Sequence, residues 1–132
     1  MRRTAKRFLG MLVLALTVNG CQPFKAEKTI KLESLGVHRI DIEKPSHNQD
    51  VTVVIDSEDA PLDVYIVLEK KAAEVEAKLI NHKDPDKSLV LASQLQKKEA
   101  TVAAQIPANE AYVVFLAWPH KNTTVKYKIT GK

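Results

Sequence analysis

The chain of 132 residues contains a single cysteine, Cys21, and only four glycines. One cysteine cannot form a disulfide bridge within the chain, so a disulfide-stapled fold is excluded. Beyond residue 21 the only glycines are Gly36 and Gly131, so that part of the sequence has no glycine-rich loop to cradle a phosphate. Aromatic residues make up 5% of the chain, and most of them fall on predicted inner faces of strands. This composition does not favour a surface of exposed aromatic side chains for sugars.

The charge is uneven along the sequence. Lys and Arg number 20 against 16 Asp and Glu, but four of the cations lie in the first seven residues and no acidic residue precedes Glu27. The rest of the chain therefore carries 16 cations and 16 anions, a formal charge of zero. Nucleic-acid binding usually requires a clustered basic surface, so the sequence predicts no nucleic-acid partner.

The first twenty residues have the pattern of a secretory signal peptide. Four cations are followed by a mostly apolar run at residues 8–18. Eleven residues are too few to span a bilayer core, which needs roughly 20 helical residues. A positive amino end, a short apolar stretch and a small residue before a cleavage point predict a leader over residues 1–20 that is removed on export.

The four residues Val18-Asn19-Gly20-Cys21 resemble the lipobox of bacterial lipoproteins. Asn19 departs from the Ala or Ser that is usual at its position. The resemblance implies cleavage before Cys21, lipid attachment to this residue, and membrane anchoring in the bacterial cell envelope. Gln22 follows the cysteine where an aspartate would favour inner-membrane retention, so the outer membrane is the expected address in a two-membrane source. Residues 22–29 are mostly polar, lack a clean period and contain Pro23, which predicts a lipidated tether over residues 21–29.

Beyond this tether, residues 30–132 form one predicted domain of short strands. Apolar residues recur with a period of two in eight segments. The first begins at residue 30, and the other seven span residues 37–43, 51–56, 62–69, 88–94, 101–106, 110–118 and 122–130. Residues 110–118 are apolar on both faces, which predicts a central strand covered on both sides. Residues 70–80 are rich in Ala, Glu and Lys with helical spacing, which predicts one short inserted helix at the edge of the fold.

Eight antiparallel strands and one helix predict an all-β sandwich. The closing stretch, from Gln105-Ile106-Pro107-Ala108 to the strand at 122–130, is similar to the end of bacterial pre-peptidase C-terminal domains. Asn109 occupies the position at which that family usually has glycine. The resemblance implies a jelly-roll-like sandwich with a non-catalytic accessory role.

Candidate site residues are few. Asp56, Glu58, Asp59 and Asp63 crowd one turn, and oxygen-rich turns can bind Ca²⁺, although the spacing is not that of an EF-hand. A solvated acidic turn is the alternative interpretation. Trp118 and His120 flank Pro119 at a strand end and could contribute to a partner surface. The alternative for Trp118 is a cap on one end of the core.

No catalytic pattern is evident in the sequence. The serines lack a Gly-x-Ser-x-Gly context, and the four histidines have no metal-ligand spacing. The sequence therefore predicts a non-enzymatic, cofactor-free envelope lipoprotein that binds or supports another envelope protein or a glycan. The alternatives are a calcium-dependent or glycan-binding module with a small-ligand site and, in third place, a hydrolase.

Overall fold

A computed structural model describes residues 24–132; the predicted leader and Cys21 lie outside the described residues. The described chain forms eight strands and one α-helix, which confirms the predicted all-β class with one inserted helix. The elements are β1 (Phe24–Leu32), β2 (Val37–Ile42), β3 (Gln49–Ser57), β4 (Leu62–Leu68), α1 (Glu69–Ile80), β5 (Ala92–Lys97), β6 (Glu99–Ile106), β7 (Tyr112–Ala117) and β8 (Thr123–Gly131).

The strands form two four-stranded antiparallel sheets. The first sheet has the order β1-β8-β3-β6 and the second has the order β2-β7-β4-β5. The first and last strands are therefore neighbours, and they pair along the whole length of β1, from Phe24 opposite Gly131 to Leu32 opposite Thr123. This arrangement of eight strands in two sheets is that of a jelly roll.

The sandwich interior is built by alternation along the strands. Val51, Val53 and Ile55 of β3 point inward and are buried, and Val53 lies opposite Ile129 of β8 in the sheet register. Val114 of β7 contributes from the second sheet. Each fully buried aliphatic side chain stabilises the fold by about 1.5–3 kcal/mol relative to an exposed one.

A second apolar cluster lies on the outer face of the second sheet, under α1. The helix buries Ala72, Val75 and Leu79 against outward-facing residues of β4 and β7, among them Val67 and Phe115. The prediction that the helix lies at the edge of the sandwich is therefore wrong. Because β4 and β7 are apolar on both faces, their outer side chains require a cover, and α1 provides it.

The predicted tether at residues 21–29 overlaps the first strand. The structure starts β1 at Phe24, six residues before the predicted domain start at residue 30, and pairs it with β8. Phe24 and Ala26 pack against the interior, but Lys28 follows them on the same side of the strand and interrupts the apolar alternation. A partner strand that lies about a hundred residues away supplies the hydrogen bonds of this segment.

The predicted strand at 88–94 is shifted in the structure. Lys87–Leu89 form a short 3-10 turn, and β5 covers Ala92–Lys97. Leu89 and Val90 pack against the cluster under α1. Their apolar character therefore reflects cover for the helix-side cluster as the chain returns from α1 to the sheet.

Loops gather at the two ends of the sandwich. At the terminal end, where β1 starts and β8 finishes, Asn109 N–H donates to Pro45 O at 2.8 Å and Lys132 N–H donates to Asp50 O at 3.0 Å. At the opposite end, loops 33–36, 58–61 and 118–122 meet. Asn109 has a φ of 66°, a left-handed conformation that Asn and Gly adopt more readily than other residues.

Candidate functional site

Both regions singled out from the sequence, the acidic turn and the Trp118–His120 segment, lie at the opposite end. Loop 33–36 holds the second of them in place: Leu35 N–H donates to Pro119 O at 2.7 Å, and Ser34 Oγ donates to His120 O at 3.1 Å. The acidic turn is tied to the start of β8, since Asp59 N–H donates to Thr123 Oγ1 at 2.9 Å. Main-chain groups and the hydroxyls of Ser34 and Thr123 therefore fix the loops at this end of the molecule.

The four carboxylates proposed for calcium do not converge. Asp63 is buried on the helix-facing side of β4, where its Oδ1 accepts from Gln96 N–H at 2.8 Å and from Gln96 Nε2 at 2.9 Å. Its Oδ2 accepts from the Tyr65 hydroxyl at 3.3 Å. Asp56, Glu58 and Asp59 are exposed. Within residues 24–132 no group of three or more His, Cys, Asp or Glu side chains has a metal-binding arrangement.

The Asp63 cluster has a structural explanation. Gln96 has a φ of 54° and lies beside a register shift between β4 and β5, so its N–H leaves the strand ladder and meets the carboxylate. The buried carboxylate thus satisfies main-chain and side-chain donors that the irregularity would otherwise leave unpaired. Burial and the neighbouring Asp63 carboxylate raise the pKa of Tyr65 well above its usual value, so its hydroxyl remains a donor at neutral pH.

Trp118 is oriented toward α1, whereas the strand alternation had placed it on the same face as Tyr112. Its φ is 62°, and the reversal at the end of β7 carries the ring to the helix side. There the indole Nε1–H donates to Leu79 O at 3.0 Å, and the ring lies 6.3 Å from that of His82. Trp118 therefore packs at the carboxyl end of α1, partly buried, with its polar atom already bonded.

Without Trp118, the predicted partner surface at the opposite end is small. His120 is exposed, and Leu35 beside it is 52% exposed with a φ of 58°. A leucine in the left-handed region is uncommon, and here the bond from its N–H to Pro119 O holds it. The opposite end thus presents the Leu35 side chain on a main chain that is held by a hydrogen bond to Pro119.

Sequence reasoning missed a cleft beside β5. Its volume is about 330 Å³, and its lining is mostly apolar, with Tyr65, Val90, Leu91 and Leu95 on its walls and Asp84, Pro85, Lys87, Ala92 and Ser93 completing it. Leu91 and Leu95 are 43% and 52% exposed. The sequence signal that could have found it is the uncharged run at residues 88–96, which contains three leucines.

Among the buried side-chain nitrogen and oxygen atoms of residues 24–132, the Tyr112 hydroxyl alone lacks a hydrogen-bond partner. No helix within residues 24–132 combines the length and apolarity needed to cross a membrane. A comparison of this chain with models of known protein families gives no match, and neither does a comparison with curated protein sequences.

Proposed function

We propose that the protein is a lipid-anchored lipoprotein of the bacterial cell envelope whose jelly roll is a non-catalytic binding or structural module. The observation that carries this proposal is the position of β1. The strand begins at Phe24, so only Gln22 and Pro23 separate the lipobox cysteine from the folded domain.

This spacing supports a defined orientation at the membrane. Three extended residue steps reach about 10 Å, so a lipid on Cys21 would hold the terminal end of the sandwich close to the bilayer. The opposite end, with Leu35 and His120, would then point away from the membrane toward other envelope components. One acyl chain binds membranes only marginally, whereas two or more bind stably at about 0.8 kcal/mol per buried CH₂.

A binding role agrees with the chemistry of the described residues. The buried carboxylate of Asp63 bonds to Gln96 and Tyr65, and the indole N–H of Trp118 bonds to the helix. These groups stabilise the fold. The partner of such a module would be another envelope protein or a glycan, and Gln22 favours an outer-membrane address where two membranes exist.

The test is the Cys21→Ser variant, expressed at the level of the wild type in a bacterium that processes lipoproteins. Wild-type protein should incorporate an alkyne-labelled fatty acid and pellet with membranes. The variant should lose the label and should no longer be processed before residue 21. Because Cys21 is the only cysteine, the label reports on one site.

A matched control is Gln22→Asp, which keeps the cysteine. In a two-membrane host it should retain the fatty-acid label but move from the outer to the inner membrane fraction. Membrane fractionation and mass spectrometry of the mature amino terminus read out both variants. Wild-type protein without the label, or a Cys21→Ser variant processed and retained like the wild type, contradicts the proposal.

A further inference from the structure

The four edge strands of the sandwich differ in how they are protected against pairing with other chains. β1 carries Lys25, Glu27, Lys28 and Lys31, and charges along an edge oppose pairing. β2 carries Arg39 and Asp41, which form an ion pair at 2.9 Å. β6 is uncharged from Ala100 to Ile106, and β5, the edge of the second sheet, is uncharged from Ala92 to Gln96. Of these two strands, β5 carries a large exposed apolar side chain, Leu95, and borders the apolar cleft.

The main-chain pairing of β5 leaves part of its edge open. Leu91 N–H donates to Ile66 O at 2.8 Å, so the carbonyl of Ile66 faces β5. In the ladder Ile66 lies opposite Ala92 and Val64 lies opposite Gln94. Because main-chain groups alternate sides along a strand, Ala92 and Gln94 bond toward β4. The N–H and C=O groups of Ser93 and Leu95 therefore point away from the sheet.

The cleft beside this edge provides a place for a side chain. Ser93 and Leu95 project from the same face of the sheet as Tyr65, which faces Ser93 across the ladder. The exposed parts of Leu91 and Leu95 flank the opening. A strand added at this edge would place every second side chain over this face, where the apolar walls favour a bulky aliphatic or aromatic group.

Every strand pair in both sheets is antiparallel, and we take the same direction for an added strand. The charges at the end of β5 then indicate where that strand carries acidic residues. Lys97 is the last residue of β5 and Lys98 follows it. Their positive charges favour an acidic residue at the adjacent position of the occupant. In an antiparallel pair, the residues of the occupant beside Lys97 are those at its amino end. The geometry points to one occupant: an extended peptide segment of another envelope protein, acidic at its amino end and bulky-apolar at alternate positions, which pairs antiparallel with Ser93 and Leu95.

This inference rests on the proposed binding role and names the class of partner. Main-chain hydrogen bonds would supply affinity and the cleft would supply specificity, as in other cases of strand addition. A second copy of the chain is a different occupant, since a twofold pair of β5 strands places the two terminal ends at opposite sides. Two molecules anchored through Cys21 in one leaflet could not form that pair.

The probe is a panel of fluorescent synthetic nonapeptides, measured by anisotropy against the full-length protein as purified from the cell, with or without lipid, in detergent micelles. Each peptide has two acidic residues at its amino end, then threonines alternating with Val, Leu, Ile, Phe or Tyr. We expect at least one panel member to bind. Two N-methylated versions of that peptide are compared, one methylated on its odd-numbered amides and the other on its even-numbered amides. One version should bind at least tenfold more weakly than the parent peptide, and the other less than twofold more weakly.

Two protein variants test the edge and the cleft separately. Ser93→Pro removes an N–H that points away from the sheet, a substitution that edge strands tolerate, and should weaken binding at least tenfold, while Ser93→Ala should bind as the wild type does. Leu95→Glu should also weaken binding at least tenfold. Its matched control is Leu35→Glu, because Leu35 and Leu95 are both 52% exposed and Leu35 lies at the opposite end.

Several outcomes would overturn the inference. The first is that no panel member binds, and the second is that both N-methylated versions lose affinity equally. The third is that the Leu95→Glu variant binds the peptide with wild-type affinity. If Ser93→Pro does not fold, the Leu95→Glu result is the test of the inference. A dimer in detergent that Ser93→Pro disrupts would assign the edge to self-association instead. Peptide binding is measured in micelles and does not depend on membrane address, so its failure is distinguishable from a failure of the Cys21→Ser test.

Discussion

The two sheets share one interior but differ on their outer faces. The first sheet presents a row of polar side chains on β8, including Lys126 and Lys128, and a single exposed apolar residue on β3, Val54. The second sheet carries Phe115 and its neighbours under α1, fully shielded from solvent. The difference shows that the helix is present because β4 and β7 are apolar on both faces, whereas the first sheet needs no cover.

Two side-chain contacts hold the helix on its sheet. Arg39 of β2 donates from Nη1 to Glu76 Oε1 at 2.7 Å, and its guanidinium lies 6.0 Å from the centre of the Phe115 ring. At the other end of the helix, the Trp118 indole donates to Leu79 O. The outer cluster thus has polar contacts at its margins around an apolar centre, and Phe115 belongs to that centre.

The largest effect is expected from Phe115→Ala. Truncation of a fully buried aromatic side chain leaves a cavity under α1 and should lower the free energy of unfolding by about 3–5 kcal/mol. Urea unfolding followed by far-UV circular dichroism measures this loss. A decrease below about 1 kcal/mol would show that the helix does not depend on this cluster.

Smaller changes in the free energy of unfolding are expected at two buried tyrosines. Tyr65 lies in the cluster under α1, and Tyr112 lies in the sandwich interior. Tyr65→Phe removes a hydrogen bond to the buried Asp63 carboxylate and should cost about 1–2 kcal/mol at neutral pH. The Tyr112 hydroxyl, inside the sandwich, has no hydrogen-bond partner among residues 24–132. Tyr112→Phe should therefore leave the free energy of unfolding unchanged or raise it by up to about 1–3 kcal/mol at neutral pH, because burial of an unpaired hydroxyl carries a desolvation penalty.

Tyr112 also predicts a pH dependence. Burial raises its pKa to about 12, above the value of about 10 in an unfolded chain. Below pH 10 both states keep the proton. Between about pH 10 and 12 only the unfolded state loses it, so stability falls as pH rises.

Urea midpoints at pH 7, 10 and 11 should show a shallower alkaline decline for Tyr112→Phe than for the wild type. Burial also raises the pKa values of Tyr65 and Tyr127, so part of the decline should remain. Identical pH profiles for the variant and the wild type would contradict burial of this hydroxyl.

The smallest effect is expected on the uncovered face. Val54 is 42% exposed on the outer side of β3, and Val54→Thr keeps a β-branched side chain suited to a strand. The free energy of unfolding should change by less than about 0.5 kcal/mol. A loss above 1 kcal/mol in the same urea assay would indicate that this face is covered after all.

Much of the fold could be predicted from local patterns. Alternation along β3 and β8 placed Val53 and Ile129 inside, and the two-faced apolar pattern of β7 predicted a strand covered on both sides. These predictions are confirmed because side-chain period follows directly from backbone geometry. The lipid on Cys21 and the envelope address remain predictions, since they concern residues outside the described part of the chain.

Other features depend on partners that are distant in the sequence. The start of β1 at Phe24 depends on β8, and the conformation of Trp118 depends on the helix end that its indole contacts. Asp63 belonged to an acidic turn by sequence, but its pairing with Gln96 follows from an irregularity between β4 and β5. A local sequence pattern contains no information about such partners.

The sequence by itself determined the strand periods, the inserted helix and the lipobox resemblance, because each of these depends on residues within a short window. Only the tertiary structure decided the jelly-roll order, the face that α1 covers and the open edge of β5. These three depend on which strands pair across long stretches of chain, and pairing is selected by the burial of all apolar faces at once.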